Sequence, residues 1–172
     1  MDFFDLVTEV IDLRSFSNLW FWIVLAILWS ALSQRVMGVP YYVVVRARRG
    51  HPESIEDMTA ITRITVRRLL ALADASGAVM IGLASFVLTG LAVTGFVYGV
   101  EFLQAVFLLA TPMFIAGGLS IWTARRLQAT DFEDIPTQLR LHRTIIQVLG
   151  VIFIFITAFW GMFVNVSIGP LG

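Results

Sequence analysis

The chain contains no cysteine and no lysine, and only two histidines, His51 and His142. The missing thiol excludes disulfides, thiolate nucleophiles, cysteine-ligated zinc and all-cysteine iron–sulfur clusters. Neither histidine falls in an apolar run, so an intramembrane bis-histidine haem has no axial ligands. Met80, Met113 and Met162 do lie in apolar runs, and there they read as packing. Charge is also scarce. Charged residues make up 14% of the chain, against about 25% in soluble domains. No phosphate-binding loop, dinucleotide fingerprint, zinc motif or nucleophile elbow occurs. The first twelve residues, "MDFFDLVTEVID", carry four acids where a secretory signal carries basic residues, so no signal peptide is expected.

What remains is apolar. Hydrophobic residues make up 58% of the 172 positions. Four runs approach the roughly 20 residues needed to cross the hydrocarbon core as a helix. They are residues 16–33, 75–100, 102–124 and 145–168. Each is continuous rather than alternating, which argues for helices over a β-barrel. The expected fold is therefore all-α, one membrane domain with four transmembrane helices in a small bundle.

Charge sets the orientation. Residues 34–74 hold seven arginines and four acids, and residues 125–144 hold four arginines and three acids. Residues 1–15 hold one arginine and four acids, and Glu101 alone separates the second and third runs. Eleven of the twelve arginines thus fall on one side. The positive-inside rule places that side in the cytoplasm, with both termini on the opposite side of the membrane. The arm at residues 1–15 spaces its acids at helical intervals and is expected to lie as an amphipathic helix in the outer interface.

The first cytoplasmic segment is patterned. Ser54 and Asp57 predict a capping box. Ile55, Met58, Ile61 or Thr62, Thr65, Leu69 and Leu72 predict the inward face of a helix that runs into the second span. Pro136 predicts a helical turn leading into the fourth. Gly95 and Gly99 suit a tight outer turn, and Pro112 with Gly117–Gly118 suits a loosened third span. Small residues four apart, as in Ala78–Gly82, Gly95–Gly99, Ala116–Ser120 and Thr157–Gly161, suit close helix contacts, within the bundle or in a homo-oligomer.

Candidate functional residues are few. Arg46, Arg48, Arg49, Arg63, Arg67 and Arg68 are candidate contacts for anionic lipid headgroups or a partner protein. Asp74 is a candidate intramembrane polar site, with Arg35, Arg67, Arg68 or Arg126 as its partner. A transporter or channel subunit would use Asp74, Gln104, Gln147 and Asn165 along its path. A lipid-modifying enzyme would have only the region of His142 and Arg143. The basic segment lacks interleaved exposed aromatics, so nucleic acid is not an expected partner. No cofactor, metal or catalytic residue is expected.

Several stretches carry a resemblance. They are "IDLRSFSNLWFWIVLAILWS" (residues 11–30), "RARR" (46–49), "YGVEFLQAVFLLATPM" (98–113) and "TARRL" (123–127). The chain resembles a family of small hydrophobic alphaproteobacterial membrane proteins described as components of the SufBCD iron–sulfur assembly complex. The resemblance implies association with that machinery and assigns no functional residue. Without cysteine the chain would tether such an assembly rather than hold a cluster by thiolates. The combined expectation is a non-enzymatic accessory, anchoring or scaffold protein, with membrane lipids and another protein or complex as partners. The resemblance further implies a bacterial inner membrane, so that both termini would be periplasmic.

Overall fold

The computed structural model describes Phe16 and residues 19–167, the side chains of Arg35 and Ser167 excepted. The expected amphipathic arm at residues 1–15 lies outside the described residues. The described chain is helical apart from one small hairpin and short turns. Helix α1 spans Leu19–Gln34, α2 Tyr41–Arg48, α3 Pro52–Ala92, α4 Glu101–Ala129 and α5 Ile135–Ser167. Strands β1 (Arg35–Val36) and β2 (Val39–Pro40) pair antiparallel between α1 and α2.

Three helical stretches are long and apolar enough to cross a membrane: Pro52–Val97, Glu101–Ala129 and Ile135–Val166. Helix α1 is apolar but has 16 residues, a rise of about 24 Å against a hydrocarbon core of about 30 Å. Helix α3 goes the other way. Its 41 residues rise about 60 Å, twice what one crossing needs. The surplus is the arginine-bearing half, which packs into a cap at one end of the bundle.

The cap is a small core of its own. Val36, Val39, Val43, Val44 and Ala47 from the hairpin and α2 meet Met58, Val66 and Leu70 of α3. Ala124 and Leu127 of α4 with Ile135 and Leu139 of α5 close it. Residues 34–53 are therefore folded. The hairpin turns through Met37 (φ 51°) and Gly38 (φ 78°), the two left-handed positions of a two-residue turn that matches strand twist. Gly38 has a second constraint, since a Cβ there would stand 3.0 Å from the Thr65 hydroxyl.

Two expectations for α3 are corrected. The helix starts at Pro52, whose ring presets the first helical φ, and His51 holds the N-cap position with no side-chain cap bond. Ser54 is thus inside the helix and buried rather than capping it. The buried stripe is Ser54, Met58, Thr62, Val66 and Leu70. Met58 and Thr62 are common to the predicted face, and Ile61, Thr65 and Leu69 are half-buried, so the stripe is rotated only slightly from the predicted one. Ile55 and Leu72 instead stand 43% and 60% exposed. The rotation follows from the partner: α2 and α4 flank one edge of α3, and the side toward them takes small and polar residues as readily as isoleucine.

Beyond the cap, α1, α4 and α5 share two buried clusters to which α3 contributes no residue, although α3 runs alongside α4. Phe21 is fully buried against Phe16, Ala105, Leu108 and Val164, and Leu25 and Trp29 meet Ala116 and Ile146. Trp29 lies so close to α5 that a Cβ on Gly150 would fall 2.8 Å from its ring. Pro112 is fully buried and α4 runs through it without a break. At the far end α3 unwinds through a π-helical turn, Val93–Val97, and reverses at Gly99 (φ 73°). Gly95 carries this corner: a Cβ there would meet the Gln104 backbone nitrogen at 2.9 Å.

Candidate functional site

The two ends of the bundle carry different chemistry. At the Gly99 end the polar groups satisfy one another. The Phe16 amide donates to Glu101 Oε1 at 2.7 Å, and Trp22 Nε1 donates to the Phe16 carbonyl at 3.1 Å. Gln104 Nε2 donates to the Gly95 carbonyl at 2.8 Å, while its Oε1 accepts from Trp160 Nε1 at 2.9 Å. Buried amides need such partners in an apolar setting. Gln104 therefore ties α4 to the π-helical turn that follows α3 and to α5.

The residues of a transport path do not share a face. Gln104 is buried in the network above, whereas Gln147 and Asn165 are exposed on α5. Asp74 is exposed as well. Its partner is Arg125, at 3.9 Å, with the two side chains 76% and 65% exposed. Of the four arginines expected beside it, Arg67, Arg68 and Arg126 do not form that pair, and the side chain of Arg35 lies outside the described residues. An exposed pair at this distance contributes little.

The cap end is where the arginines gather. Arg46, Arg48 and Arg49 are exposed along and just past α2, because Val43, Val44 and Ala47 turn inward. Arg63, Arg67 and Arg68 are exposed on the first half of α3. Arg63 lies over the Phe132 ring at 5.3 Å, and Arg126 over Trp122 at 5.6 Å. Phe132 sits in a turn where Asp131, Phe132 and Asp134 all have left-handed backbone, φ 47–61°. Gln138 Nε2 braces that turn by donating to Thr130 Oγ1 and the Glu133 carbonyl. A groove of about 440 Å³ runs beside it, lined on its polar side by Arg63, Arg67, Asp74 and Asp131.

His142 is 6% exposed, and its Nδ1 shares a 2.9 Å hydrogen bond with the buried Thr123 hydroxyl. It therefore pins α5 to α4 at the base of the cap. Its neighbour Arg143 takes a different route. The Arg143 guanidinium stacks 3.5 Å from the Tyr41 ring centroid, and its Nε donates to the Ser33 carbonyl at 3.3 Å. This constellation joins α1, α2 and α5 across more than 100 residues of sequence. The sequence singled out only Arg143, beside His142, and could not bring Ser33 and Tyr41 to it. The only signal was that Tyr41 and Arg143 both flank apolar runs at the basic side.

Among the described residues no three His, Asp or Glu side chains cluster as metal ligands. Comparison with protein families, with curated proteins and with solved structures finds no match to this chain.

Proposed function

We propose that this chain is a four-span inner-membrane accessory protein that anchors a partner complex and performs no catalysis itself. In this reading α1 is the first span, the arginine-bearing cap faces the cytoplasm and both termini are periplasmic. The resemblance to SufBCD-associated proteins suggests iron–sulfur assembly as the setting.

One observation carries the proposal. In the most apolar window of α3 only 6% of residues are buried, against 28% in α4 and 22% in α5. Val79, Ile81, Leu83 and Phe86 are 62–77% exposed, and no atom approaches a would-be Cβ on Gly77, Gly82 or Gly90. Small residues on a span let another helix approach closely. A span that its own bundle leaves bare over both large and small residues suits a helix from another chain.

Site-specific photocrosslinking from Leu83 and Phe86 in native membranes tests this. The expected result is a discrete adduct with a different protein at both positions. Adducts with lipid alone would contradict it, and an adduct of twice the chain mass would replace the partner with a second copy.

A further inference from the structure

Arg143 is held more firmly than the other described arginines. Stacking on Tyr41 at 3.5 Å fixes the plane of its guanidinium, and the Nε bond to the Ser33 carbonyl fixes its rotation within that plane. Ser33 lies in the last turn of α1, where carbonyls lack helical donors and attract a cation. These contacts use one face and one N–H. The two Nη atoms make no hydrogen bond or ion pair among the described residues.

Arg143 forms one wall of an open cavity of about 520 Å³, with Ser33, Gln34, Pro40, Tyr41 and Tyr42 as the others. No acid is among these six. The Tyr41 and Tyr42 hydroxyls have no hydrogen bond among the described residues, and Tyr42 is 66% exposed. The cavity sits where α1 ends and just before the apolar run of α5 begins. That is headgroup depth, where aromatic rings with polar tips concentrate. Val151 and Ile154, two and three turns further along the same side of α5, are exposed and apolar.

We propose that this cavity binds the phosphate headgroup of an anionic phospholipid, with the acyl chains lying along α5. A guanidinium offers a planar fork that matches two phosphate oxygens, and a fork already immobilised loses less freedom on binding. Tyr41 and Tyr42 supply further donors. The exposed Arg46, Arg48 and Arg49 attract the same lipids only diffusely. The site rests on the membrane reading of the chain, but its test is run in detergent and depends on neither orientation nor a partner.

Native mass spectrometry of the purified chain, titrated with phosphatidylglycerol or phosphatidylcholine, measures the first lipid bound. Wild type should hold phosphatidylglycerol roughly tenfold more tightly than phosphatidylcholine, and Arg143→Lys should remove that preference. Tyr42→Phe should weaken it by about twofold to fivefold. Alanine at Arg46, Arg48 and Arg49 together should leave the first binding step unchanged. Equal affinity for the two lipids in wild type would overturn the proposal, as would an unchanged preference in Arg143→Lys. Displacement of the lipid by millimolar inorganic phosphate would reassign the site to the free ion. Should Arg143→Lys unfold in detergent, the wild-type preference and Tyr42→Phe decide alone.

Discussion

Single residues decide where these helices can touch. Gly95 and Gly82 are both glycines in one apolar stretch, yet only Gly95 faces a neighbour. A methyl at Gly95 would push on the backbone of α4, 2.9 Å away, and backbone cannot yield as a side-chain tip can. Gly95→Ala is expected to cost about 1–3 kcal/mol, the usual range for overpacking. Gly82→Ala meets nothing and is expected to be neutral or stabilising by up to about 1 kcal/mol. Unfolding of both variants in mixed micelles checks this, and equal effects would contradict the packing described. The sequence marked Gly95 as a turn residue and, paired with Gly99, as a site of close helix contact, but it did not name the neighbour. Its contact with Gln104 was illegible because it depends on how tightly the following turn closes. Gln104 shows the same limit. A glutamine near a span end reads as a pathway residue until the structure supplies Gly95 and Trp160 as its partners.

At the scale of elements, α3 shows what periodicity can and cannot reveal. Its continuity from the first basic segment into the following apolar run was legible, because no breaker falls between Pro52 and Gly77. Its inward face was legible only in part, through Met58 and Thr62. Isoleucines and leucines recur around most of the helix, so the pattern admits several rotations, and tertiary contact with α2 and α4 selects among them. Met58, 2% exposed, should therefore matter far more than Ile55, which is 43% exposed. Met58→Ala is expected to cost about 2–5 kcal/mol, as cavity-forming core truncations do. Ile55→Ala is expected to stay within about 1 kcal/mol. Chemical denaturation of the two variants side by side measures the difference. Comparable losses would show that the predicted face, not the described one, packs inward. The hairpin and α2 were not foreseen as elements at all. Two-residue strands carry no periodicity, and Met37 gives no hint of the left-handed backbone it adopts.

Over the whole molecule, the membrane character and the segregation of arginine follow from composition and charge. The cap follows from neither. Eleven arginines in two segments predict an orientation, but they do not reveal that the segments share a core of valines, methionine and leucines. That core gives the basic end a definite shape, with the arginines on its surface and one of them, Arg143, turned to the bundle edge. A folded basic cap beside a bare apolar helix is the physical basis of the proposed anchoring role.

The orientation of that cap is the claim on which the anchoring role depends. The absence of native cysteine makes single-cysteine labelling clean. Arg49→Cys and Glu133→Cys mark the two basic segments, and Tyr98→Cys and Asn165→Cys mark the opposite ends of α3 and α5, all at exposed positions. A membrane-impermeant maleimide added to intact spheroplasts should label the Tyr98→Cys and Asn165→Cys variants. The Arg49→Cys and Glu133→Cys variants should react only after lysis. Labelling at position 49 or 133 in intact spheroplasts, with positions 98 and 165 protected, would contradict the account.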